Sequence, residues 1–243
     1  MIVNVSNKPI FVTGIERSGS SIVGRILCLC NVFSGALTNM FENQEIRTRL
    51  IDIYEKFNAD PKGQYPLPDP IKIQNGISAT HFKMKLERIL CRQGYVEGVW
   101  FFKSFRLLHL WPLFHKMYPE AKWIIVRRRT GDIINSCTKT AYMEAFEKDE
   151  VQKMVGVSSA KDGWLYWVHE QEKLINQAIE AGIDYKVIWP ERIINYDYSQ
   201  LMEVLDWVGV EGNEIELHSI LNPILHKMKV DINKIRYGKN NSN

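Results

Sequence analysis

The chain has 243 residues, 45% of them hydrophobic and 24% charged, with a formal net charge of +3. That balance fits a soluble globular protein with a full core, and the length suits one α/β domain over residues 1–243. It argues against a disordered chain, and a charge so near neutral makes no case for a nucleic-acid partner.

Pro9 to Val12 reads as a short buried strand, and from Ser20 the apolar positions Ile22, Val23, Ile26, Leu27 and Cys30 follow a helical period. Between them lies GIERSGSS, Gly14 to Ser21, with four residues separating Gly14 from Gly19. Strand, glycine-bearing turn and helix come in the order a phosphate cradle requires. Backbone amides of the turn and the positive end of the helix dipole converge on one spot, and the Ser18, Ser20 and Ser21 hydroxyls add donors. A loop that binds a nucleoside triphosphate carries a lysine where Ser20 stands here. The nearest cation is Arg17, inside the loop.

Residues 58–77 hold four prolines and little periodicity, and are expected to form a long surface loop. Trp100 to Phe102 is the second strand candidate, and Leu107 to Tyr118 reads as an amphipathic helix stopped by Pro119. The third strand is Ala121 to Val126, and Asp132 to Ala145 begins the following helix. Gly163 to Ala181 is a long helix whose Trp164, Trp167, Leu174 and Ala178 stripe belongs to the core. Tyr185 to Trp189 gives a fourth strand and Leu201 to Val208 a further helix. Strands alternating with helices predict a three-layer α/β sandwich around a central parallel sheet.

A second basic motif, RRRTGDIINS, follows the third strand. Arg128 falls at the strand's C-terminal end, where open α/β sheets bind ligands. Ser136 follows eight residues later, in the next helix, and the two together can grip a second phosphate.

GIERSGSS followed by WIIVRRRTGDIINS resembles the paired signatures of sulfotransferases that use 3′-phosphoadenosine 5′-phosphosulfate (PAPS). Lys103-Ser104, Trp164 at the head of a long helix, and YKVIWPERII extend the resemblance from residue 10 to about 225. The resemblance implies transfer of a sulfuryl group from PAPS to a hydroxyl or amine acceptor, with release of PAP and no metal. It implies that Arg17, Ser18, Gly19, Ser20 and Ser21 hold the 5′-phosphosulfate, and that Arg128 and Ser136 hold the 3′-phosphate. Arg17 and Lys103 would neutralise the leaving phosphate, and Ser136 would keep such a cation off the bridge oxygen until the acceptor arrives. Two positions depart from the family pattern. Glu16 stands where proline is usual, and Phe105 where cytosolic small-molecule members carry a catalytic histidine. The proton acceptor is assigned to Glu42, with Glu45 and Glu16 in reserve.

The histidines show no metal-binding spacing, and His109 and His115 are expected on the surface. Cys28, Cys30, Cys91 and Cys137 are expected to be reduced and mostly buried, which points to the cytoplasm. No apolar run approaches the ~20 residues that cross a bilayer, so no membrane anchor or leader is expected. The basic tail, Lys227, Lys229, Lys234, Arg236 and Lys239, is either a solvated end or a closure over the 3′-phosphate. The acceptor pocket is expected between Phe41 and Glu97. Two readings compete with a sulfotransferase: a P-loop kinase or NTPase, which would need Mg²⁺, and a catalytically idle PAPS-binding protein.

Overall fold

The computed structural model describes residues 5–212, so the basic tail lies outside the described residues. Four parallel strands, β1 (Ile10–Thr13), β2 (Phe101–Lys103), β3 (Lys122–Val126) and β4 (Asp184–Ile188), form one sheet in the order β2-β1-β3-β4. All four are short, and β1, β2 and β3 are almost wholly buried. This is the mark of a parallel sheet covered on both faces, and it explains their continuous apolar runs. Register pairs Phe11 with Phe102 and Trp123, so these three rings share one face. Ile10, Val12, Phe101, Ile124 and Val126 share the other.

Helices cover each face. Behind the second face lie α1 (Ser20–Leu29), α10 (Pro190–Ile194) and α11 (Ser199–Val208). The larger core, against the first face, takes α2 (Gln44–Lys56), α3 (Pro70–Gly76), α4 (Ala79–Arg92), α5 (Arg106–His109), α6 (Trp111–Met117), α7 (Thr130–Cys137) and α9 (Ala160–Glu180). The short α8 (Asp149–Val155) precedes α9 and buries no residue of its own. Phe11 anchors the larger core, meeting Phe114, Trp123, Tyr118 and Trp100 edge-on with centroids 4.9–6.0 Å apart. Trp164 and Trp167 are fully buried in it, as their helical stripe predicts.

Several expectations are corrected. The helix expected over Leu107–Tyr118 is two helices broken at Leu110. Pro112 has no N–H to continue the first and is well placed in the opening turn of the second. The helix expected from Asp132 to Ala145 starts at Thr130 and stops at Cys137. The Thr138 and Thr140 hydroxyls bond back to the carbonyls of Asn135 and Ser136, offering the backbone an alternative to further turns. Residues 58–77 are not wholly loop. Asp69 accepts hydrogen bonds from the amides of Ile71 and Lys72, and with Pro70 in the first turn it starts α3. Cys137 alone of the four free cysteines is buried; Cys28, Cys30 and Cys91 are half-exposed. Among the described residues no helix is long and apolar enough to cross a membrane, and no cluster of His, Cys, Asp and Glu has the makings of a metal site.

Candidate functional site

The chain leaves β1 towards β2 on one side and reaches β3 on the other, which opens a crevice at the C-terminal ends of the strands. The Gly14–Gly19 loop lies there. A Cβ on Gly14 would stand 2.2 Å from the Val126 carbonyl oxygen, so only glycine lets the loop cross so close to the end of β3. Arg17 is left-handed, with φ 72°, a conformation costly for a residue with a side chain. It is braced by Arg128, whose Nη1 donates to the Arg17 carbonyl at 3.0 Å, and by the Ser18 amide, which donates to Ile15 O at 3.0 Å. Gly19, with φ 92°, caps α1 without any side-chain hydrogen bond, and no carboxylate sits in the first turn. The Ile22 amide donates to Gly19 O at 3.0 Å, and the Ser20 and Ser21 amides ahead of it open the helix with no side-chain cap. Beside them the Ser18 hydroxyl is buried with no hydrogen-bond partner. A buried, unsatisfied hydroxyl at a helix N-terminus is a ready donor for an anion.

The loop residues Arg17 to Ser21, together with Glu42, Lys103, Arg128 and Ser136, all line one cleft of about 1190 Å³. The two basic motifs meet inside it. Arg17 Nε donates to Ser136 Oγ at 2.9 Å, across 119 residues of sequence. Arg128 Nε lies 3.8 Å from Glu191, whose position at the start of α10 brings a fourth strand–helix junction to the same cleft.

On the β2 side Lys103 is buried, its Nζ 3.1 Å from the Met40 carbonyl, 3.4 Å from Ser21 Oγ and 3.5 Å from Glu42 Oε1. Burial lowers the affinity of its amine for a proton, and the Glu42 charge works against that shift. Glu42 is held where it is by its neighbour in sequence. Asn43 caps α2 through the Ile46 amide and donates to Ser34 O and Gln93 Oε1. The Glu42 side chain is buried among three cations, with Oε2 3.3 Å from Arg47 and 3.9 Å from Arg106 as well as the Lys103 contact. Glu45, by contrast, points to Arg92 and Gln93, away from the cleft.

Glu16 turns inward. Its Oε1 accepts a 2.7 Å hydrogen bond from the Tyr142 hydroxyl, while Oε2 is buried with no partner. Burial raises its carboxyl above the ordinary value, against the lowering pull of the Tyr142 hydrogen bond, Arg106 and Arg17. Tyr142, Arg106 and Arg47 are cleft residues that the sequence did not point to. Arg106 follows Lys103-Ser104-Phe105, so its proximity to the Lys103 motif was the available signal; Tyr142 had none.

His109 is fully buried, against expectation. Nε2 meets Gln171 Oε1 at 2.6 Å and Nδ1 meets the Tyr54 hydroxyl, partners that a neutral ring satisfies with Nε2 donating and Nδ1 accepting. Its ring packs edge-on to Phe105, which lines the cleft. Burial holds its pKa down at about 4, against 6.5 when unfolded. Between those values the unfolded chain binds the extra proton, so stability is complete above pH 6.5 and falls as pH drops towards 4. The expected loss is roughly 3 kcal/mol. Urea titrations at pH 7 and 4 should show it in the wild type, and His109→Gln should flatten that pH dependence. An unchanged slope in the variant would rule His109 out as its source.

The family model described as the sulfotransferase family matches residues 9–206. Among solved structures the chain is similar to sulfotransferase STF9 from Mycobacterium avium, with a TM-score of 0.57 and 13% identity over 88% of this chain and 68% of that one. At that identity the likeness concerns the fold. No match is found among curated proteins.

Proposed function

Because the chain belongs to the sulfotransferase family, we propose that it moves a sulfuryl group from PAPS to a hydroxyl or amine acceptor and releases PAP. The observation that carries the donor assignment is the meeting of two anion-binding halves in one cleft. One half is the α1 N-terminus with its unsatisfied Ser18 hydroxyl, Arg17 and Lys103; the other is Arg128 with Ser136. PAPS carries two phosphate-derived groups, and the chain offers donors for both. The loop, with Ser20, Ser21 and Gly19, would hold the 5′-phosphosulfate, and Arg128 and Ser136 the 3′-phosphate. What the donor supplies is an activated sulfuryl group whose departure leaves charge on the 5′-phosphate. Arg17 and Lys103 are the cations placed to meet that charge, without a metal. The acceptor would enter past Glu42, Arg47, Ile51, Pro61 and Lys62, all from the Phe41–Glu97 segment, opposite Phe105.

A thermal-shift panel tests this reading. PAP is expected to raise the melting temperature without Mg²⁺, and ATP or GTP to do little. Stabilisation by ATP that requires Mg²⁺ would replace the sulfotransferase reading with a kinase or NTPase. Hydrogen bonds to a charged group contribute about 1.5–3 kcal/mol. Arg128→Ala should therefore weaken PAP at least tenfold in calorimetry and weaken adenosine 5′-phosphosulfate, which lacks the 3′-phosphate, much less. Equal losses for the two ligands would move the 3′-phosphate elsewhere.

A further inference from the structure

Glu42, the carboxylate expected to take the acceptor's proton, is poorly arranged for it. Both of its oxygens face cations: Oε1 faces Lys103, and Oε2 faces Arg47 and Arg106. A proton arriving there would have to displace one of them. A second carboxylate lines the same cleft under opposite conditions. Glu16 sits in the phosphate loop at the position where the resembling sequences carry proline. It has one oxygen bonded to the Tyr142 hydroxyl at 2.7 Å and one with no partner at all. Glu16 Oε2 is buried and Oε1 is covered by the Tyr142 hydroxyl, whereas Tyr142 is 41% exposed, lines the cleft and reaches Arg17 Nη1 at 3.4 Å. The phenol thus connects the open cleft to the buried carboxylate. Where two carboxylates share a site and their surroundings drive them apart, the desolvated one is suited to receive a proton and the ion-paired one to stay charged.

Resting on the sulfotransferase reading, we propose that Tyr142 and Glu16 together form the proton acceptor of the reaction, the Tyr142 hydroxyl touching the acceptor and Glu16 receiving the proton through it. As the acceptor oxygen forms its bond to sulfur, its proton passes to Tyr142 Oη, and the phenolic proton passes to Glu16 Oε1. The sulfur–oxygen bond to the 5′-phosphate breaks with its electron pair going to the phosphate, which leaves as PAP. Glu16 ends as a neutral acid and returns its proton to solvent. The phenol relays without ionising, since burial, followed by the Glu16 charge, pushes its own pKa up to about 12. The long Arg17 contact leaves the phenol oxygen free to accept from the incoming hydroxyl. Arg17 itself is thereby placed between the phenol and the leaving group, so one side chain faces both ends of the reaction.

The test uses the full chain, with water as the acceptor and PAP release from PAPS as the rate, alongside ¹³C NMR titration of the glutamate carboxyls. Charged and titratable groups facing Glu16 are Arg17 from the loop, Arg106 from α5, Glu42, Tyr142, and more distantly Lys103, Cys137 and, from α2, Tyr54. In the wild type two carboxyls are expected to titrate above the ordinary glutamate value, Glu16 and, on α4, the desolvated Glu87; the Glu16 signal is the one that should vanish in Glu16→Gln and rise further in Tyr142→Phe, which loses the stabilising hydrogen bond. Tyr142→Phe and Glu16→Gln should each lower kcat at least tenfold with PAP affinity within threefold of wild type. Glu16→Gln should also lose the acidic limb of the pH profile, and Glu16→Asp should recover part of the rate. Both variants within twofold of wild-type kcat, or a Glu16 carboxyl titrating at the ordinary value, would overturn the proposal. So would loss of the acidic limb in Glu42→Gln alone. A wild type that binds no PAP would sink the donor reading itself, and that outcome is separable because the carboxyl titration needs no ligand.

Discussion

Arg17→Ala is expected to lower turnover by ~10²–10³ while changing PAP affinity only severalfold. The reason lies in where Arg17 is held. With no ligand its Nε is bonded to Ser136 and its Nη1 reaches Tyr142, so the guanidinium is poised within the cleft. Its backbone is fixed in the left-handed region by the Arg128 bond to its carbonyl, which aims the side chain at the cost of local strain. An interaction that strengthens as charge grows on the leaving phosphate acts on kcat more than on ground-state binding. Steady-state PAP release and calorimetry on the same variant separate the two quantities, and added guanidinium should recover part of the lost rate. If turnover stays near wild type, or if affinity falls as far as turnover, the loop only binds.

What the sequence revealed of this site, and what it concealed, follows from the range over which each contact acts. The Gly14–Ser21 loop was legible as a turn from β1 into α1 because its glycines, serines and arginine are consecutive and the strand before it is a continuous apolar run. Arg128 and Ser136 were legible for the same reason: strand end and helix start are eight residues apart. The parallel sheet followed from alternation, and the strand bounds shifted by only a residue or so. Less legible was everything governed by distant partners. Breaks at Leu110 and Cys137 depend on one proline and two threonine hydroxyls that periodicity does not register. The helices α2 and α4 carry apolar faces that were not separated from the acceptor-pocket segment. His109 reads as a surface residue until Tyr54 and Gln171, 55 and 62 residues away, turn out to bracket its ring. The Glu16–Tyr142 bond spans 126 residues, and no spacing rule reaches that far.

Lys103→Met should cost about 10²-fold in turnover, and Glu42→Gln should move the basic limb of the pH profile towards neutrality. Lys103 is a buried cation at the end of β2, within reach of Ser21 and of the loop that would hold the leaving phosphate. Its usefulness depends on remaining an ammonium. Burial lowers its pKa, and Glu42 at 3.5 Å opposes that shift by charge and by hydrogen bond. Removing the Glu42 charge leaves desolvation opposed only by the weaker pull of Glu16, so the ammonium gives up its proton at a lower pH and turnover declines earlier as pH rises. The sign separates two roles for Glu42. A residue that keeps Lys103 protonated changes the basic limb, whereas a proton acceptor changes the acidic one. Measuring kcat/KM for PAP release across pH in wild type, Glu42→Gln, Lys103→Met and the double variant therefore distinguishes them directly. A shifted basic limb in Glu42→Gln, absent when Lys103 is already methionine, places Glu42 behind Lys103. A basic limb that stays put while the acidic one disappears would return the proton to Glu42 and leave Lys103 to act without it.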